Sequence, residues 1–100
     1  MNNVKLSGRL TRDAELKQRS ETTVCDMRLA VDGRGNAPTL YIDVVAFGEL
    51  ADSSAELSKG AEVAVSGVLR YEEWESADAD TGSTQKRSKH SVIAREVVAA

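Results

Sequence analysis

Thr39–Leu50 reads TLYIDVVAFGEL and is the most strand-like run in the sequence. Side chains in a strand alternate sides with period 2. Leu40, Ile42, Val44 and Ala46 therefore share one face, while Tyr41, Asp43, Val45 and Phe47 share the other. The first set is uniformly aliphatic and is expected to be core. The second sets two aromatic rings beside a carboxylate, a mixture foreign to a buried face. It is expected to be a surface platform on which something flat and polar can stack.

Working outward, Asp32–Thr39 (DGRGNAPT) gathers Gly, Asn, Asp and the only proline, so it is a turn. Before it, Thr23–Val31 alternates. Cys25, Met27, Leu29 and Val31 form a core face; Asp26, Arg28 and Ala30 lie opposite. The two runs make an antiparallel hairpin. Residues 3–10 give a first strand with Val4, Leu6, Gly8 and Leu10 inward and Asn3, Lys5, Ser7 and Arg9 wet. Thr11–Glu15 bends out of it, and Lys17–Thr23 (KQRSETT) is expected to be a polar turn or loop.

Glu49–Lys59 is the one credible helix. Leu50, Ala51, Ala55 and Leu57 lie near one side, acids are weighted to its front half, and Gly60 stands just past its end. A fourth strand spans Glu62–Trp74, with Val63, Val65, Gly67, Leu69 and Tyr71 on the core parity and Gly67 marking a bend or bulge. Glu75–Lys89 has no periodicity and is expected to be a mobile hairpin loop, acidic first and basic later. Ser91–Val98 is the fifth strand. With the helix between strands three and four, the order is that of an all-β OB-fold, a five-stranded Greek-key barrel. The first and fifth strands are expected at its edges, where copies would meet.

One hundred residues allow one domain, 1–100, with a single core. No apolar run is long enough to span a membrane, and the N-terminus lacks the apolar segment of a secretory signal. The single cysteine, Cys25, allows no intrachain disulfide and no cysteine-built zinc site. No metal or other cofactor is expected, and the location is expected to be cytoplasmic. Thirteen basic against 16 acidic residues give a net charge of −3, so nucleic-acid binding has to rest on uneven charge distribution.

Four segments, in order, resemble the bacterial single-stranded DNA-binding protein family: MNNVKLSGRLTRDAEL, VCDMRLAV, YIDVVAFGELAD and KGAEVAVSGVLRYEEW. The resemblance covers almost the whole chain. It implies an OB-fold that assembles as a homotetramer, a dimer being the alternative, and binds single strands without sequence preference in replication, repair and recombination. It implies nucleoid association and contacts with other replication or repair proteins. It carries the family's stacking aromatics onto Tyr41, Phe47 and Trp74, and its phosphate contacts onto Arg9, Arg28, Lys59 and Arg70. This sequence departs from the pattern in three places. Asp32–Thr39 has no aromatic, Glu49 stands where lysine is common, and Glu72 and Glu73 precede the tryptophan where basic residues are common. The family usually ends in a Gly/Pro/Gln-rich linker and an acidic tip, whereas this sequence stops at Ala100. A trimmed piece or a tailless paralogue is the expectation.

The residues themselves support the same chemistry. All four aromatics, Tyr41, Phe47, Tyr71 and Trp74, fall in the third and fourth strands. Bases stack on such rings whatever their identity, while phosphates follow a basic groove. Tyr71 is expected at the core or rim by parity; Tyr41, Phe47 and Trp74 are expected at the surface. Arg12, Arg34, Lys86 and Arg87, with Lys5 and Lys89, extend the possible groove, although any one of them alone is an ordinary solvated charge. His90 has no nucleophile or acid pattern around it, and Cys25 carries core parity, so catalysis is not expected. The alternative is a tailless primosomal or protein-interaction factor with weak DNA affinity.

Overall fold

The computed structural model describes residues 1–99. Its elements are β1 (Val4–Leu10), β2 (Glu15–Arg19), β3 (Thr22–Val31), β4 (Leu40–Phe47), α1 (Glu49–Ser54), β5 (Glu62–Ala77) and β6 (Thr84–Ala99). The strands lie in the order β1-β5-β6-β4-β3-β2, and β1 also pairs with β3 through Arg9↔Ala30 and Leu10↔Leu29. This is the expected OB-fold arrangement, with the helix between the third and fourth long strands.

The alternating patterns become the core. Leu10, Cys25, Met27, Leu29, Val44, Ala46, Val63, Val65 and Val92 are buried together. Cys25 faces Ala46 and Met27 faces Val44 across the β3–β4 ladder, so one aliphatic face serves both strands. Ala51 is buried and Leu50 packs against this cluster, which gives α1 its apolar side; Ala55 and Leu57, just past its end, pack there too. Glu49 and Asp52 occupy its first turn, where the helix dipole favours acids.

Two glycines allow backbones to meet. A Cβ on Gly8 would stand 2.1 Å from the Ala30 carbonyl oxygen, where β1 passes from β5 toward β3. A Cβ on Gly67 would stand 2.0 Å from the Ile93 carbonyl oxygen, at the register shift between Ser66 and Gly67. The bend expected at Gly67 is thus a bulge in the β5–β6 ladder.

The structure corrects several expectations. Lys17–Thr23 is no loop: Glu15–Arg19 forms β2, paired to β3 from Glu15↔Asp26 to Arg19↔Thr22, and the turn is confined to Ser20 and Glu21. Glu75–Lys89 is largely strand, because β5 and β6 stay paired as far as Ala77↔Thr84. The helix ends at Ser54 rather than Lys59, capped by Ala55, and Gly60 turns the chain into β5. Leu40 and Leu69 have core parity but are exposed, since their strands run past the ends of the core. The last strand is not an edge. β6 lies between β5 and β4, pairing with β4 in parallel through Asp43↔Ser91 and Val45↔Ile93.

Candidate nucleic-acid interface

The outward parity of β3 and β4 forms the middle of the candidate surface. Val24↔Phe47, Asp26↔Val45, Arg28↔Asp43 and Ala30↔Tyr41 face one another in register. β6 and β5 extend it, with Arg70 opposite Ser91, Glu72 opposite Lys89 and Trp74 opposite Arg87. Tyr41, Phe47 and Trp74 are 55%, 41% and 44% exposed. Each presents an apolar face that the fold leaves uncovered.

Tyr71 is 51% exposed as well, so the parity reading that put it in the core or rim is corrected. It stands where β5 and β6 have left the core as a two-stranded ribbon, and both ribbon faces meet solvent. Its ring lies 4.9 Å from that of His90, centroid to centroid. Its hydroxyl donates to Glu73 Oε1 at 2.6 Å, and that hydrogen bond to the carboxylate pushes the phenol's ionisation up.

A cleft of about 330 Å3 opens on this surface. Phe47, Val24 and Val45 give it apolar walls, and Arg12, Arg19, Arg70 and Lys89 supply cations. Asp26, Asp43 and Glu72 bring carboxylates into the same space. The cations are partly engaged by these acids. Arg28 Nη1 donates to Asp43 Oδ1 at 2.8 Å, and Lys89 Nζ stands 3.3 Å from Oδ2. Arg70 pairs with Glu72 at 2.5 Å, and Lys17 with Asp26 at 3.2 Å. Arg12 and Arg19 have no carboxylate within ion-pair distance among the described residues. Burial alone would raise the Asp43 carboxyl, but hydrogen bonds and charge from Arg28 and Lys89 hold it below its ordinary value. Arg28 also lies over the Tyr41 ring, 5.8 Å from its centroid, a cation–π arrangement that fixes the guanidinium beside a stacking surface.

The structure therefore brings Phe47, Arg12 and Arg70 into one cleft, with Arg28 and Tyr41 on the adjoining register positions. Arg9 is elsewhere: it pairs with Glu62 at 2.6 Å and lines a separate groove with Ser7 and Asp32. Lys59 is exposed after α1, where its backbone N–H donates to Asp13. Arg34 is exposed in the turn between β3 and β4. Lys86 and Arg87 sit on β6 of the ribbon rather than in a loop. Arg19 went unrecognised because its segment lacks the alternation that marks a strand. Its only available signal is a basic residue immediately before a reversal of the chain.

Cys25 is buried, and burial, with the nearby Asp26 charge, pushes its thiol up, away from the reactive thiolate. Among the described residues no three His, Cys, Asp or Glu side chains gather as a metal site. Among the described residues no helix is long and apolar enough to cross a membrane.

Comparison with known proteins points one way. Residues 1–99 match the model of the Single-strand binding protein family. The chain is 37% identical over 102 positions to a single-stranded DNA-binding protein of Borreliella burgdorferi, covering 93% of this chain and 65% of that one. It is 36% identical over 104 positions to single-stranded DNA-binding protein 2 of Clostridium acetobutylicum, covering 97% and 74%. The crystal structure of wild-type single-stranded DNA binding protein from Thermus aquaticus superposes with a TM-score of 0.79 at 31% identity. That match covers all of this chain and 40% of that one.

Proposed function

Because the chain belongs to the single-strand binding protein family, we propose that it binds and protects single-stranded DNA without catalysis, in replication, repair and recombination. The observation that carries this reading is the uncovered outer face of β4 and β5. Three half-exposed rings stand there beside a cleft lined by four cations. Tyr41, Phe47 and Trp74 stack bases; Arg12, Arg28, Arg70, Arg19 and Lys89 take phosphates, with Lys86 and Arg87 along the ribbon. Stacking accepts any base, so binding by these rings is largely indifferent to sequence. Arg9, Arg34 and Lys59 contribute at most as outlying charges.

The protein works in the cytoplasm with the nucleoid, as a homo-oligomer that also meets other replication or repair proteins. Along β1, residues Val4–Gly8 pair with β5 on one side only, which leaves an edge for a second copy. The alternative reading, a primosomal or protein-interaction factor with weak DNA affinity, has one observation in its favour, the carboxylates that share the cleft with its cations. Binding strength against salt, measured together with mass in solution, separates the two.

Trp74 is the only tryptophan, so its fluorescence reports the site directly. Titration with oligo-dT at low salt is expected to quench it. Absence of binding under those conditions would sink the proposal, and binding without quenching would remove Trp74 from the surface. Trp74→Ala is expected to weaken binding by about 1–3 kcal/mol.

A further inference from the structure

The next step rests on the single-strand reading and narrows it to one base within the cleft. The cleft volume, about 330 Å3, falls in the range of small-ligand pockets. Val24 faces Phe47 and Asp26 faces Val45 across the β3–β4 ladder, so Asp26 is the diagonal neighbour of Phe47 on the same face. Such neighbours are about 7–8 Å apart, a span that a base lying on the ring covers. The Asp26 side chain is only 24% exposed, and its Oδ2 is held by Lys17 at 3.2 Å. Its Oδ1 has no hydrogen-bond or ion-pair partner among the described residues. Asp43 differs, since Arg28 and Lys89 engage one oxygen each. The half-used carboxylate of Asp26 is an acceptor only.

We propose that this cleft is a base-discriminating subsite, in which a base stacked on Phe47 donates its exocyclic amino group to Asp26 Oδ1. Cytosine offers N4–H2 at that edge, whereas thymine offers O4, a second acceptor facing the carboxylate. The two pyrimidines are of one size, so the difference falls on that edge. Arg12 and Arg19, at the same cleft, take the flanking phosphates. Overall binding stays broad because the other rings stack without regard to identity, but one position prefers amino-bearing bases.

The test is equilibrium titration of the intact chain with oligo-dC and oligo-dT of equal length, at one salt concentration and at neutral or higher pH. Oligo-dC is expected to bind about tenfold more tightly. Asp26→Asn offers both a donor and an acceptor, so the dC:dT ratio should fall to near one. Glu72→Gln removes the same charge from the far part of the cleft. It should tighten both oligomers and leave the ratio as it was. Equal binding of dC and dT by the unmodified chain overturns the subsite while the single-strand reading stands. An unchanged ratio in Asp26→Asn, with the fold intact by circular dichroism, overturns the role of Asp26. Failure to bind either oligomer overturns the single-strand reading itself and the subsite with it.

Discussion

At Asp43 a carboxylate holds two cations, Arg28 and Lys89, on the face proposed to meet nucleic acid. Its native ionisation is lowered, so the stability it lends is present above the ordinary carboxyl value and is lost as pH falls through the native one. Phosphates that recruit Arg28 and Lys89 take away the groups that keep Asp43 ionised. Its carboxyl then rises in the complex, the complex takes up a proton, and affinity increases as pH falls toward the carboxylate range. Asp43→Asn is expected to tighten oligo-dT binding and to abolish this part of the pH dependence; a variant that keeps the profile would assign it to another group. Ser54 tests the core in a similar way. It is 2% exposed and its Oγ has no partner among the described residues. Ser54→Ala removes a buried hydroxyl left without a hydrogen bond and is expected to stabilise the fold by about 1 kcal/mol. Thermal unfolding should show a midpoint raised by about 4–8 °C.

Among the elements, the β5–β6 ribbon shows how pairing outlasts burial. Where β1 ends at Val4, the backbone of Leu69 would face solvent at the β5 edge. The Asn2 carboxamide closes it, accepting from Leu69 N–H and donating to Leu69 C=O, both at 2.8 Å. Asn2→Ala is expected to cost about 1 kcal/mol and to speed amide exchange at Leu69 by more than it speeds exchange in the core. Equal acceleration everywhere would mean a global effect. The same distinction between pairing and burial explains what was legible beforehand. β1, β3, β4 and the first half of β5 alternate because one face is buried, and their sequence shows it. β2 has a single large apolar residue, Leu16, itself exposed, so only its backbone pairing with β3 makes it a strand. Thr84–His90 is exposed throughout, which leaves no period to read although the ladder continues. The site follows the same rule. Phe47, Tyr41 and Trp74 were visible through mixed-polarity parity, whereas Arg19 was hidden with its strand. Arg9 is a phosphate contact only by the family resemblance, and its pairing with Glu62 depends on a contact across 53 residues.

For the whole molecule, a net charge of −3 has to be reconciled with the proposed polyanionic partner. Acids and bases are interleaved on the proposed binding face itself. Exposed ion pairs of this kind contribute only about 0–1 kcal/mol each, so phosphates can compete for their cations. Arg12 and Arg19 have no such competitor among the described residues. If three or four phosphates are neutralised, log K for oligo-dT should fall against log salt with a slope of about −2 to −3. A slope near zero would leave stacking as the only term and would favour the protein-interaction reading.

β6 also sets the timetable of folding. It is made after the other five described strands, yet its place is in the interior of the sheet, between β5 and β4. A growing chain can form the β3–β4 hairpin early, but the β4 edge at Asp43–Val45 stays open until Ser91–Ile93 leaves the ribosome. At about 5–20 residues per second that interval lasts seconds. During it YIDVVAF, the strand that later carries the rings, is a bare apolar edge of the kind that recruits other chains. The sheet therefore waits on β6, and the segment that carries Tyr41 and Phe47 keeps an open edge in the nascent protein until that strand arrives.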